Sequence, residues 1–351
     1  MSNTLRFLSR PYTVSYEVTS SCDLGCYFCS ARLKEFGRHD LGTAGAIRIL
    51  DALIQEQVLS VFLTGGEPLL RSDIVDLVRH CTANGVNTLV STCGVGIDRV
   101  LAVALFDAGL DEVQVSIHGV GALHDQTVGV PGAFEAAMEG VDAFLSAGMR
   151  VTVAAVTTRR NVQHLPALAR AAADMGVHHF RAQRLMPHSH ELLEEIPPRE
   201  EFVKVTHELA EMNRALPSLA VHVHATPGLL DEGPDVFDKR EPSIVHPLTH
   251  TCSAGKTSMG ILSNGDCVPC LELKDPEFLC GNMLSDSLEA VWNAGPMKLL
   301  RDAGPATYQG RCGECELRWS CYSARCVAYH LDGNLLGDDI SCYALQAERD
   351  T

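Results

Sequence analysis

Three thiols fall within eight residues, Cys22-Asp23-Leu24-Gly25-Cys26-Tyr27-Phe28-Cys29. The spacing Cys-x3-Cys-x2-Cys suits a cubane iron–sulfur cluster. Three thiolates hold three of its irons and leave the fourth without a protein ligand. A structural zinc site would need a fourth Cys or His, and none lies close by. Disulfides would need partners and an oxidising compartment. Buried structural thiols would not cluster in this way. A second block of thiols lies at the other end of the chain: nine of the fourteen cysteines fall between Cys252 and Cys342.

The elements that must position the first triad can be read from periodicity. Strand-like runs cover residues 12–18, 60–63, 85–90, 112–117, 150–157 and 178–185. Helical spacing covers 46–57, 72–84, 98–108, 133–147 and 162–175, with Gly109, Gly148 and Gly176 as stops. Ser72 or Asp73 is placed to cap the second of these helices. Six βα units in sequence predict a parallel sheet with right-handed crossovers. The fold class expected is α/β, a partial (βα)6 TIM-like barrel followed by a small cysteine-rich domain.

Reactive residues of such barrels lie at the C-terminal ends of the strands. The thiol triad follows the first strand and Gly65-Gly66-Glu67-Pro68 follows the second. Thr92-Cys93-Gly94 follows the third, and Ser116 to Gly119 ends the fourth. All four features therefore fall on one rim. A further helix is expected at 200–216 and a short strand at 220–224. Residues 226–250 lack periodicity and read as a linker or covering loop. The expected organisation is a barrel over 1–225, that linker, and a cysteine-rich domain over 251–351.

Composition narrows the partners. The chain has 351 residues, with 28 basic against 44 acidic side chains and a formal net charge of −16. That argues against nucleic acid, whose phosphates need a basic face. No apolar core of a signal peptide opens the chain, and no run of about 20 apolar residues is present, so no membrane is expected. The expected location is cytoplasmic, where thiols stay reduced and available to iron.

The triad with Gly65-Gly66-Glu67-Pro68 one βα unit later resembles the radical S-adenosylmethionine superfamily. The resemblance implies a [4Fe–4S] cluster on Cys22, Cys26 and Cys29, with S-adenosylmethionine chelating the open iron. Reductive cleavage of the sulfonium would then release a 5′-deoxyadenosyl radical. Gly65 and Gly66 would allow close backbone approach to the methionyl part. Glu67 would reinforce the ammonium end or the turn itself, and Pro68 completes the motif. Phe28 would pack near the adenine, and Ser116 would contact the ribose.

A second resemblance covers the C-terminal part. Cys252, Gly265 and Cys270 match the opening of the SPASM domain, and Cys312-x2-Cys315-x5-Cys321 with Cys326 and Cys342 continues it. The carry-over gives Cys252, Cys270 and Cys326 to one auxiliary [4Fe–4S] cluster. It gives Cys312, Cys315, Cys321 and Cys342 to a second, so three clusters are implied in all. The segment Cys321-Tyr-Ser-Ala-Arg-Cys326 departs from the family, which has three intervening residues, often with a Gly-Gly pair.

Of the remaining thiols, Cys81 reads as helix core, and Cys267 or Cys280 is a candidate fourth ligand of the first auxiliary cluster. Cys93 stands where relatives often carry Asn. It reads as a small buried residue or as a hydrogen-atom donor to a substrate radical. His118 replaces a common Asp and reads as packing, or as a group that binds or deprotonates substrate. His188, His190, His222 and His224 read as surface or loop histidines. The expected enzyme takes hydrogen from an unactivated C–H bond of a peptide or polar natural product and oxidises it. The alternatives are a radical epimerase and a non-catalytic electron-transfer protein. The expected partners are a small-molecule or peptide substrate and a reductant such as flavodoxin or ferredoxin. A peptide-recognition module fused ahead of the barrel is not expected.

Overall fold

The computed structural model describes residues 7–32, 39–224, 252–319, 321 and 324–346. Seven strands lie in sequence order and pair in parallel: β1 (Thr13–Thr19), β2 (Ser60–Gly65), β3 (Asn87–Thr92), β4 (Glu112–Ser116), β5 (Arg150–Thr157), β6 (His179–Arg184) and β7 (Ala220–Val223). Between them run α1 (Thr43–Gln55), α2 (Ile74–Ala83), α3 (Arg99–Asp107), α4 (Ala122–Val128), α5 (Ala133–Ser146), α6 (Leu165–Asp174) and α7 (Arg199–Ala215). The expected α/β partial barrel is therefore present. Its strands are rich in β-branched residues, as in Arg-Val-Thr-Val-Ala-Ala-Val-Thr of β5, where burial on both faces favours them.

Three local readings needed correction. Helix α4 was not expected. It has seven residues, of which His124, Thr127 and Val128 are buried, so its periodic signal is weak. Helix α6 begins at Leu165, after a 3₁₀ turn at Val162–His164. Pro166 fits that first turn because it has no N–H to satisfy there. Asp73 does sit at the N-cap of α2 but makes no capping bond. Its carboxylate is instead gripped by Arg71, whose Nε and Nη2 donate at 2.8 and 2.7 Å. The end of α3 is as expected: Gly109 takes φ +92°, which a side chain would strain.

The cysteine-rich part joins the same sheet. Strand β8 (Ser258–Ile261) pairs in parallel with β1, in register from Thr13↔Ser258 to Tyr16↔Ile261. Strand β9 (Cys267–Val268) pairs antiparallel with β8. The sheet thus runs β7 to β1, then β8 and β9, and stays open between β7 and β9. Beyond it come α8 (Leu288–Trp292), α9 (Gly295–Asp302), α10 (Gly310–Glu314), α11 (Arg325–Asp332) and α12 (Tyr343–Gln346). The main core continues from Tyr16, Leu63 and Phe180 in the barrel to Val291, Trp292 and Met297. A smaller core gathers Leu273, Phe278, Leu300 and Val327 around Cys326. The expected linker, residues 226–250, lies outside the described residues.

The C-terminal part is also tied to the barrel rim by charge. At the end of β6, Arg184 Nη2 donates to Asp339 Oδ1 and Oδ2 at 3.0 and 2.8 Å, and to Ser341 Oγ. Asp339 is 0% exposed. Removing one member of a buried pair strands the other, at a typical cost of about 3–5 kcal/mol. Asp339→Ala should therefore lower the unfolding free energy by about that amount in urea titrations. The double variant Arg184→Met/Asp339→Leu should recover most of the loss.

Candidate active site

The thiol triad is held by the turn after β2. Gly66 N donates to Thr19 O at 2.8 Å, and Glu67 N donates to Ser21 O at 2.7 Å. A Cβ on Gly65 would lie 2.2 Å from Thr19 O, and one on Gly66 would lie 2.0 Å from Ser21 O. Gly65 also takes φ +138°. The two glycines are thus required by the chain's own backbone, independently of any ligand.

Glu67 is 4% exposed, and its carboxylate serves the turn. Oε1 accepts from Leu69 N at 2.9 Å and Thr92 Oγ1 at 2.8 Å, while Oε2 accepts from Cys93 N at 2.6 Å. One carboxylate therefore binds the tips of β2 and β3. Pro68 is buried and opens a 3₁₀ turn at Pro68–Leu70. Arg71 Nη1 then reaches back to Val18 O at 2.7 Å and Leu41 O at 2.8 Å, fixing the end of β1.

A cavity of about 340 Å³ opens at the C-terminal ends of the strands, within the size range of ligand sites. Cys22, Cys26, Cys29, Phe28, Gly65, Gly66, Glu67, Cys93, Ser116 and His118 all line it. Pro68 does not. The opposite wall holds Arg184 from β6, and Leu271 and Glu272 from the cysteine-rich part. Tyr27 clasps the loop from outside. Its OH donates to Glu195 Oε2 at 3.2 Å, and Arg160 lies 4.3 Å over its ring.

His118 is 5% exposed and packs edge-on to Phe28, with ring centroids 5.0 Å apart. Its Nδ1 accepts from Val156 N at 3.2 Å, so the neutral ring carries its proton on Nε2. Burial, with His124 beside it, lowers its pKa to about 3. The ring is a neutral hydrogen-bond donor at physiological pH and a poor base. Cys93 packs with Cys22, Cys26 and Leu24. Burial, and then the Glu67 charge, push its thiol well above the ordinary value, so it stays protonated.

The C-terminal thiols form separate groups. Cys252 and Cys270 pack on the small core that contains Cys326. Burial pushes Cys270 up to about 12, with Cys252 adding to it. Burial likewise raises Cys326, with Cys270, Glu272 and Cys252 contributing. Such crowded thiols ionise readily only around a cationic core, which an iron–sulfur cluster provides. Cys312 Sγ accepts from Asp339 N at 3.4 Å, and Cys342 N donates to Asp339 O at 2.9 Å. Cys342 in turn feels the charge of Cys321.

Cys267 and Cys280 lie in the main core, where their thiols donate to Gly265 O at 3.6 Å and Phe278 O at 3.3 Å. Cys81 is buried core, as expected. His222 stacks on His179 across β6 and β7, with centroids 5.6 Å apart. Among the described residues, no three His, Cys, Asp or Glu side chains close on a single-ion site. Cys22, Cys26 and Cys29 instead stand along the cavity wall.

Several site residues escaped the sequence reading. Thr92 braces Glu67. Arg184 is locked by Asp339, and Glu17 on the cavity wall is paired with Lys274. Glu272 faces the same space. Their partners lie tens to hundreds of residues away, so no local pattern marks them. The charged residue ending β6, amid otherwise apolar burial, was the one usable signal.

A parallel half-barrel with a three-thiol loop on its rim, beside a thiol-rich unit, is the architecture of an iron–sulfur enzyme. Residues 16–172 match the Radical SAM superfamily, and residues 252–316 match the SPASM iron–sulfur cluster-binding domain. The chain belongs to the radical S-adenosylmethionine superfamily and carries a C-terminal SPASM domain. S-adenosylmethionine and [4Fe–4S] clusters, auxiliary ones among them, are its cofactors. The AdoMet-dependent heme synthase of Oleidesulfovibrio alaskensis is 26% identical, over 94% of this chain and 86% of its own. The PqqA peptide cyclase of Methylocella silvestris is 27% identical, over 95% and 87%. The crystal structure of Streptococcus suis SuiB bound to S-adenosylmethionine superposes with a TM-score of 0.78 at 19% identity, covering 97% of this chain and 79% of that one. No helix among the described residues is long and apolar enough to cross a membrane.

The seating of the glycine turn can be tested directly. Gly66→Ala should displace the loop at Ser21 and Cys22. Anaerobically reconstituted protein should then lose about four irons per chain, the content of one cubane, with its far-ultraviolet circular dichroism retained.

Proposed function

We propose that this enzyme takes a hydrogen atom from an unactivated C–H bond of a peptide or polar natural product. The product would be oxidised: dehydrogenated, crosslinked or decarboxylated. When bound, a [4Fe–4S] cluster on Cys22, Cys26 and Cys29 and its S-adenosylmethionine supply the 5′-deoxyadenosyl radical for this step. The observation that carries the reading is the shared cavity. It joins the triad and the glycine turn to the Leu271–Glu272 wall beside Cys270. A substrate there lies between the radical source and the auxiliary thiols, so an electron it gives up has an acceptor at hand.

In this reading Gly65 and Gly66 offer backbone groups to the methionyl part, and Glu67 keeps their turn in place. Pro68 shapes the turn from below. Ser116 binds the ribose, and Phe28 packs on the adenine. His118 orients a ligand by donating from Nε2 rather than by removing a proton. Cys252, Cys270 and Cys326 hold the first auxiliary cluster, and Cys312, Cys315, Cys321 and Cys342 the second. Residues 1–225 form the barrel unit and 251–351 the auxiliary unit. A flavodoxin or ferredoxin is the reductant. The relatives named above include a heme synthase and a peptide cyclase, so the substrate class stays as broad as stated.

One observation favours a second outcome. Cys93 lines the cavity at the tip of β3 with its thiol protonated. A substrate radical that took hydrogen from it would leave epimerised and unoxidised.

Anaerobic iron and sulfide analysis should find three cubanes, about twelve irons per chain. A count of two cubanes or fewer would sink the auxiliary assignment. Reduced enzyme should form 5′-deoxyadenosine from S-adenosylmethionine, and its absence would sink the reading altogether. Deuterium oxide separates the two outcomes. Oxidation leaves the product's target carbon without solvent deuterium, whereas a Cys93 donor delivers one. In the second case Cys93→Ala should form 5′-deoxyadenosine but no epimer.

A further inference from the structure

Glu272 stands where the auxiliary thiols meet the cavity. It follows Cys270 by two residues, and its N–H donates to Cys270 Sγ at 3.5 Å. Its carboxylate has a separate partner. Oε1 accepts from Ser30 Oγ at 2.9 Å, and Ser30 directly follows Cys29. Oε2 has no hydrogen-bond partner among the described residues, and the side chain lines the cavity. Its charge reaches both Cys270 and Cys326. Neighbouring groups are engaged elsewhere. Lys274 is paired with Glu17, and His330 Nε2 bonds the Glu272 carbonyl at 2.6 Å.

Three thiols, Cys252, Cys270 and Cys326, leave one iron of a cubane without a ligand. Cys267 and Cys280 are turned toward carbonyls in the other core. We propose that Glu272 is the fourth protein ligand of the first auxiliary cluster, with Oε2 bound to that iron on the side facing the cavity. The inference rests on the thiol assignment made under the proposed function. The carboxylate binds as the anion and displaces water, so no electron or proton moves. Ser30 holds the other oxygen and orients it, as an outer partner does for a ligating carboxylate. A carboxylate is a harder donor to iron than thiolate. This iron is therefore the site on the cluster from which a substrate donor can most readily displace the protein. Ser30 also links the auxiliary ligand to the loop of the first cluster through one hydrogen bond.

The test uses the full-length holoenzyme as Cys22→Ala/Cys26→Ala/Cys29→Ala, which leaves only the auxiliary clusters. Iron content, pulsed electron paramagnetic resonance of the reduced protein grown on carboxyl-13C glutamate, and redox titration are compared with and without Glu272→Gln. Both proteins should hold about eight irons. A 13C hyperfine coupling should be present with Glu272 and absent in Glu272→Gln. The midpoint potential of one cluster should rise with loss of the anionic ligand. Glu272→Cys should bring it back down. A carboxylate that only hydrogen-bonds nearby would give no such coupling, and identical spectra and potentials in the two proteins would overturn the proposal. An iron count near four in the triple variant would instead overturn the thiol assignment beneath it.

Discussion

The structure depends on the Gly65-Gly66-Glu67 turn seating on the backbone of Thr19 and Ser21. Two N–H···O bonds and two missing Cβ atoms bring β2's exit against β1's exit. The Glu67 carboxylate extends the same clamp to Thr92 and Cys93 on β3. A buried carboxylate is tolerated only with its acceptors filled, and three donors fill this one. The triad loop thus inherits its position from three strands. That matters for a site that must hold a large cofactor in one geometry.

The second constraint is the sharing of one sheet. Strand β1 is hydrogen-bonded to β2 on one side and β8 on the other. The loop after β1 therefore cannot shift without disturbing both the barrel and the cysteine-rich part. The Arg184–Asp339 pair adds a tie on the far wall, next to Cys312 and Cys342. Burying such a pair seldom adds much net stability, but it does specify a register between two elements. The auxiliary thiols are held in fixed relation to the cavity by hydrogen bonds on one side and charge on the other.

Legibility followed the range of each interaction. The triad, the glycine turn and the strand tips were readable because their spacing is local and strand ends of a parallel barrel share one rim. Gly65 and Gly66 read from the sequence as positions of close backbone approach to the methionyl part of the cofactor. The body that approaches proved to be the protein's own Thr19 and Ser21, which no spacing reveals. For Glu67, both the ligand and the turn were open from sequence, and Thr92 and Cys93 show it serving the turn. Helix α4 was missed because it is too short for a period to emerge. Asp73 had the right position for a cap, but Arg71, two residues earlier, outcompetes the helix N–H groups for its carboxylate. Asp339 and Glu272 were invisible because their meanings are set by partners across the fold, and Arg184 offered only the oddity of a charge ending β6.

Two of the C-terminal thiols, Cys326 and Cys342, sit deeper than the triad. Cys22, Cys26 and Cys29 are partly exposed and line the cavity, and Cys252, Cys270, Cys312, Cys315 and Cys321 are partly exposed as well. Cys326 and Cys342 are buried, and Cys270 is pushed up to about 12 by burial and its neighbours. Deprotonating thiols in such ground costs free energy that only a bound cationic core offsets. On the proposed assignment, a cluster held at Cys326 or Cys342 is acquired as the C-terminal unit folds, whereas the triad loop sits on a rim already braced by Glu67. On the proposed assignment, the preformed rim can exchange its small-molecule ligand at each turnover, while the C-terminal clusters pass electrons or, at an exposed iron, meet the substrate.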